Sequence, residues 1–136
     1  MENIDISFYN SLKGTYKNLN NKLSTLFSDY NLTVAQFFVL KELYLIQPLS
    51  IQEIIDKLDD SSGNMTVVIR NLEKNGFILR RTNTLDERSS LISLTSKGKS
   101  TYLELIYKYN KLLSDSFKSI NKKDKQVMNM LLSRIK

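Results

Sequence analysis

Apolar residues recur at helical spacing along most of the chain, and residues 61–76 (SSGNMTVVIRNLEKNG) show the pattern most completely. Their apolar positions fall at i, i+3, i+4 and i+7 and so share one helix face: Met65, Val68, Ile69 and Leu72. The opposite face carries short hydrogen-bonding side chains and cations: Asn64, Thr66, Arg70, Asn71 and Lys74. Such side chains suit the base edges and phosphates of DNA, but a solvated polar face is the commoner interpretation of this pattern.

Both ends of this helix are marked in the sequence. Ser61 or Ser62 can accept hydrogen bonds from the free N–H groups of the first turn. Gly76 predicts a left-handed residue that ends the helix, after which Phe77 packs back on Leu72.

Three more helices are predicted upstream. Apolar residues three and four apart predict the first, over residues 4–29, and their seam faces either the core or a second subunit: Leu12, Tyr16, Leu19, Leu23 and Leu26. Two capping-box sequences begin the next two helices: Thr33 with Gln36, and Ser50 with Glu53. The short helix over residues 51–58 and the helix that follows are joined by a few residues, which is the helix-turn-helix arrangement.

The spacing of apolar residues changes to two after the fourth helix. Residues 77–82 and 90–95 are short and strand-like, and a polar loop joins them, which predicts a hairpin. A hairpin directly after a helix-turn-helix is a wing, and we expect it to bring Arg80, Arg81 and Arg88 near the polar helix face. Two more helices follow, the first capped by Thr95 or Ser96 and the second begun by Asn121 with Asp124. The predicted fold class is therefore mainly α with a small β-hairpin wing (α+β).

Composition narrows the function. The 136 residues suit a single domain, and the net charge of +6 attracts polyanions such as DNA, RNA or an acidic membrane. The chain has neither Cys nor His, so it lacks thiol chemistry and the commonest general base and metal ligand. No signal peptide or membrane span is evident, which predicts a cytoplasmic protein with no membrane role. We expect no enzyme activity, no cofactor and no metal site.

Six stretches, in order and at their spacing, resemble the MarR family of bacterial transcription regulators. They are residues 32–36 (LTVAQ), 49–54 (LSIQEI), 61–66 (SSGNMT), 71–76 (NLEKNG, followed by FI and Arg80), 86–89 (DERS) and 92–98 (ISLTSKG). The resemblance covers nearly the whole chain. It implies a winged helix-turn-helix protein with long terminal dimerisation helices. Residues 32–98 would form the DNA-binding module, and residues 1–30 and 99–136 the dimerisation region.

The resemblance also implies a function. The homodimer would place two recognition helices in successive major grooves of a pseudo-palindromic double-stranded operator, roughly 34 Å apart. It would be a repressor released by a small phenolic or lipophilic effector. A ligand-independent DNA-binding regulator and a winged-helix protein–protein interaction module remain alternatives.

Eleven residues are candidates for the DNA interface. On the helix, Arg70 is the first choice for a base or phosphate contact, and Val67 could touch a thymine methyl. The others on this helix suit phosphate contacts, polar contacts or capping: Ser61, Ser62, Asn64, Thr66, Asn71 and Lys74. The candidates on the wing are Arg81, Asp86 and Arg88. The family match makes Arg88 an arginine that enters the minor groove, with Asp86 orienting it, whereas Glu87 departs from the neutral or basic residue common there.

An effector pocket is the least specific expectation. Missing Cys and His argue against thiol-oxidation and zinc or copper sensing, which leaves a small organic effector as the default. Four aromatics could line its pocket, although each could equally be plain core: Tyr16, Phe38, Tyr102 and Tyr109.

Overall fold

The computed structural model describes residues 3–58, 62–86 and 88–136, and of Ser62 and Gly63 only the backbone. Within these ranges the chain forms six helices and three short strands. The elements in order are α1 (Ile4–Ser28), α2 (Val34–Leu45), β1 (Leu49–Ser50), α3 (Ile51–Leu58), α4 (Ser62–Lys74), β2 (Ile78–Thr82), β3 (Ser90–Leu94), α5 (Ser96–Ser116) and α6 (Lys122–Leu132).

The helix starts follow the capping residues of the sequence. Thr33 Oγ1 accepts the backbone N–H of Gln36 at 3.1 Å, and the Gln36 side chain accepts the N–H of Thr33 at 2.9 Å, which completes the expected capping box. Of the two candidate caps for α5, Thr95 is the one used, because its hydroxyl accepts the N–H of Gly98. The Asn121 side chain caps α6 by accepting from Asp124 N.

The three strands form one antiparallel sheet in the order β1-β3-β2. Arg80 pairs with Ile92 across the hairpin, and Leu49 of β1 pairs with Ile92 from the other side. The predicted hairpin is confirmed. Strand β1 was not predicted, because a segment of two residues carries no alternation and becomes a strand only when β3 lies beside it.

The core lies where α2 meets the second half of α1 and the first part of α5. Phe37 is fully buried, and its ring centroid lies 4.2 Å from that of Phe27 and 5.1 Å from that of Tyr109. The helix-turn-helix and the sheet extend this core with other buried side chains: Ile54, Met65, Ile69, Leu72, Phe77 and Ile92. This shared core therefore fixes the positions of α3, α4 and the base of the wing relative to one another.

The terminal helices keep much of their apolar surface outside this core. Only Leu23 of the α1 seam is buried, whereas Tyr16 is 71% exposed. Helix α6 has no buried residue, and its apolar positions are exposed, among them Met128 and Leu131. An open groove of about 920 Å³ lies between the first part of α1 and α6. In the described ranges, no helix is both long and apolar enough to cross a bilayer.

Candidate nucleic-acid interface

Helix α4 has one fully buried face and one exposed face. Met65, Ile69 and Leu72 are completely buried, and Val68 is nearly so, which confirms the predicted apolar stripe. The polar positions all lie on the exposed side: Asn64, Thr66, Arg70, Asn71 and Lys74. Val67 is 46% exposed among them. Of the other two candidates at the start of this helix, Ser61 lies outside the described residues, and for Ser62 only the backbone is described.

The predicted end of α4 is confirmed. Gly76 has φ of 82°, and its N–H donates to Glu73 O at 3.0 Å. The N–H of Phe77 reaches back to Leu72 O at 3.0 Å, and both of these side chains are buried in the same cluster. This pair of bonds is the Schellman arrangement, which satisfies the last carbonyls of the helix and turns the chain sharply into the wing.

Helix α4 carries one arginine, Arg70, on its exposed face. Within the described ranges no carboxylate lies at ion-pair distance from Arg70. Glu73 instead pairs with Arg80 of β2, whose Nε lies 3.7 Å from Glu73 Oε1. Since successive strand residues point to opposite faces, Arg81 lies on the other side of the hairpin from Arg80. The three wing arginines therefore do not share one face.

Backbone hydrogen bonds shape the tip of the wing. Asp86 Oδ1 accepts the backbone N–H of Arg88 at 3.0 Å, and among the described residues no acid is ion-paired with the Arg88 guanidinium. Asn83 was missed by the sequence reasoning. Its Oδ1 accepts the N–H of Leu85 at 3.0 Å, and its Nδ2 donates to Ser89 Oγ at 3.1 Å. The preference of asparagine for such turns was the available signal. Glu87, the noted departure from the family pattern, lies outside the described residues.

Three of the four candidate effector residues come together. Phe38 and Tyr109 meet edge to face with centroids 6.1 Å apart, and both contact Phe37, as does Tyr102. Burial raises the pKa of the Tyr102 and Tyr109 phenols. Tyr16 is separate from this cluster, because it lines the open groove between α1 and α6. Within one protomer, the four aromatics do not form a single pocket.

The arrangement of α3, α4 and the β2–β3 hairpin defines a winged helix-turn-helix protein. The MarR family model matches residues 32–90, which span α2 to the start of β3. The HTH-type transcriptional regulator MgrA of Staphylococcus aureus is 28% identical over 134 residues, covering 98% of this chain and 88% of MgrA. YkoM of Bacillus subtilis (strain 168), an uncharacterized HTH-type transcriptional regulator, is 34% identical over 107 residues, covering 78% of this chain and 69% of YkoM.

Among solved structures, the complex of S. aureus MepR with DNA superimposes with a TM-score of 0.89 at 18% identity, over 94% of this chain and 95% of the MepR chain. This likeness establishes the shared fold. Taken together with the family model and the two relatives, it shows that the chain belongs to the MarR family, whose members are DNA-binding transcription regulators.

Proposed function

We propose that this protein is a homodimeric repressor that binds a pseudo-palindromic operator and is released from it by a small organic effector. One observation carries the DNA-binding part. Helix α4 buries its whole apolar stripe and turns its polar and cationic side chains outward, beside a wing that ends in Arg88. The same fold is present in the MepR–DNA complex, which supports this mode of binding.

In this proposal α4 is the recognition helix. Arg70 reads a base edge or holds a phosphate, since it is exposed and has no ion-pair partner in the described part of the chain. Val67, half exposed, contacts a thymine methyl. The remaining candidates make polar or phosphate contacts: Ser61, Ser62, Asn64, Thr66, Asn71 and Lys74.

The wing supplies the second contact. Arg88 enters the minor groove, where arginine responds to groove width and so favours A·T-rich flanks. Asp86 holds the backbone of Arg88 through its Oδ1, which leaves the guanidinium exposed for DNA. We propose that Arg81, on the opposite strand face from Arg80, contacts the phosphate backbone.

The exposed apolar positions of α1 and α6 support a homodimer. Large side chains such as Phe8, Tyr16, Met128 and Leu131 are about half exposed or more, and Phe8, Tyr16 and Met128 line the same groove. A soluble monomer rarely leaves a continuous apolar surface of this kind uncovered. The apolar lining of this groove of about 920 Å³ is the surface on which the proposal seats a helix of a second copy.

The effector is proposed to act near the aromatic cluster of α2 and α5. Lys41 Nζ lies 5.9 Å from the Phe38 ring centroid and 6.0 Å from that of Tyr109, so a cation borders the half-buried rings. A phenolic or lipophilic compound would match this mixture of aromatic surface and positive charge. A second copy that brought Tyr16 close would complete the set of four aromatics.

The test is fluorescence anisotropy of the protein on DNA from upstream of its own gene, against scrambled DNA, across a salt series. We expect a strong preference for the native fragment with steep salt dependence. Arg70→Ala should remove most of that preference. Lys118→Ala, which deletes an exposed cation beyond α5, is the matched control and should leave it. Equal binding to both DNAs by the wild type, or no binding at low salt, would contradict a specific operator-binding role for this fragment.

A further inference from the structure

The end of helix α4 is held by the start of helix α5. Three successive carbonyl oxygens follow the last turn of α4, and each accepts a hydrogen bond from α5 or its cap. Lys97 Nζ donates to Asn75 O at 2.7 Å, the Thr95 hydroxyl donates to Gly76 O at 2.6 Å, and Thr95 N donates to Phe77 O at 3.1 Å. We call these three bonds the carbonyl clamp.

Packing reinforces the carbonyl clamp. Lys97 Nζ lies 4.5 Å from the centroid of the buried Phe77 ring. A Cβ on Gly98 would lie 2.0 Å from Phe77 O, so the first turn of α5 rests directly on that peptide group. The first turn of α5 and the segment that follows α4 therefore meet with no room to slide past one another.

The carbonyl clamp supplies what α4 cannot supply for itself. A helix ends with carbonyls that have no partner within the helix, and a cation near that end is favourable to the helix dipole. The bonds from Gly76 N and Phe77 N use the carbonyls of Glu73 and Leu72. The carbonyl of Asn75 is left to Lys97, which belongs to another helix.

Helix α5 runs from the carbonyl clamp to the groove between α1 and α6. It has 21 residues, which is about 30 Å of continuous helix. Its last residue, Ser116, and the following Phe117 line the groove between α1 and α6. The carbonyl clamp thus fixes the end of α4 to α5, and the other end of α5 reaches the proposed dimer region.

We propose that Lys97 is a positioning residue for the recognition helix: through the carbonyl clamp it sets the orientation of α4 relative to α5, and so the DNA affinity, without touching DNA. This inference rests on the proposed DNA-binding function. A direct phosphate contact by Lys97 is the competing role. The ammonium group, however, already donates a hydrogen bond to Asn75 O and makes a cation–π contact with the Phe77 ring.

Salt dependence separates the two roles. Lys97→Met keeps the aliphatic stem and removes the donor and the charge. Without this bond α4 samples other orientations. If about a third of the protomers keep the binding orientation, both protomers of a dimer do so in about a tenth of the molecules, which weakens binding about tenfold. If Lys97 only positions α4, the slope of log K against log salt stays as in the wild type. If it binds phosphate, the slope falls by roughly 0.9 for each lost contact.

Two further variants complete the design. Lys99→Met makes the same change of charge on an exposed residue of the same helix turn, outside the carbonyl clamp, and should keep the wild-type affinity. Lys97→Arg keeps a cationic donor and should restore most of the affinity. Weakened binding by Lys97→Met with an unchanged salt slope supports the inference. Wild-type affinity in Lys97→Met, or a reduced salt slope, overturns it.

A measurement without DNA tests the positioning role of Lys97 independently of the proposed DNA binding. Because the chain has no cysteine, Asn71→Cys on α4 and Asn110→Cys on α5 give two unique spin-label sites. The labelled chain is diluted with unlabelled protein so that only pairs within one protomer are seen. We expect Lys97→Met to broaden or shift the distance distribution and Lys99→Met to leave it unchanged. Identical distributions in all three proteins would refute the positioning role, whatever DNA the wild type binds.

Discussion

Gly98→Ala is the sharpest test of how closely α5 approaches the end of α4. An ideal Cβ at this position would lie 2.0 Å from Phe77 O, 3.0 Å from Phe77 C and 3.3 Å from Leu94 Cδ2. The nearest of these atoms belong to backbone, which cannot rotate away. The first turn of α5 must therefore shift by more than 1 Å, a distance that follows from ordinary carbon–oxygen contacts near 3.3 Å.

The magnitude follows from what this shift breaks. The bonds from Thr95 to Gly76 O and Phe77 O are each worth about 0.5–1.5 kcal/mol. The new strain adds about 1–3 kcal/mol, and the better helix propensity of alanine returns about 1 kcal/mol. The net loss is about 3 kcal/mol. With an unfolding entropy of about 2.1 cal/mol/K per residue, a chain of 136 residues should melt roughly 10 °C lower.

The assay is thermal unfolding followed by circular dichroism at one fixed protein concentration. Ser100→Ala is the control, because Ser100 is an exposed residue of the same helix, outside both the carbonyl clamp and the groove. The better helix propensity of alanine, about 0.5 kcal/mol, should raise its melting temperature by about 2 °C. Two substitutions to alanine in α5 are thus expected to have opposite signs. An unchanged or raised melting temperature for Gly98→Ala would refute the close approach of α5 to Phe77.

Four more predictions follow from the site and the proposed dimer. Arg88→Ala should weaken DNA binding by about 1–3 kcal/mol at unchanged melting temperature, and an unchanged isotherm would remove Arg88 from the interface. Glu73→Gln breaks an exposed pair worth less than about 1 kcal/mol and removes a negative charge beside the recognition face. It should therefore tighten DNA binding by about twofold, and weaker binding would argue against the proposed DNA-facing side. Leu131→Asp on α6 should shift the protein from dimer to monomer in sedimentation velocity, whereas Gln126→Asp should not; two dimeric variants would exclude this face. Burial raises the pKa of Tyr102 and Tyr109, so the stability they contribute is complete below the unfolded pKa of about 10 and is lost as the pH rises above it. The melting temperature should fall as the pH rises above about 10, and it should fall less steeply in Tyr102→Phe. Equal slopes in the two proteins would show that ionisation of Tyr102 does not contribute to this loss of stability.

Much of the local structure could be predicted from the sequence because its causes are local. The capping box of Thr33 and Gln36 forms within four residues, and Gly76 ends α4 because few other residues adopt positive φ readily. The amphipathic pattern of α4 identified both its buried and its exposed face. The contacts of that exposed face with DNA remain a prediction.

Other features could not be predicted because they join residues far apart in the chain. Strand β1 exists through its pairing with β3, and the pairing of Glu73 with Arg80 depends on the turn between α4 and the wing. The sequence placed Tyr16 in the same set as Phe38 and Tyr109, whereas the tertiary structure separates it, since only the second half of α1 packs on α2.

The sequence alone therefore determined the helices, the β2–β3 hairpin and the family to which the chain belongs, because backbone capping and apolar periodicity act over a few residues. The tertiary structure decided which apolar faces are buried in the protomer and which remain exposed on α1 and α6. It also decided that Lys97 and Thr95 hold the end of α4. Those outcomes depend on how whole helices pack, and packing is settled by the shape of every contacting surface at once.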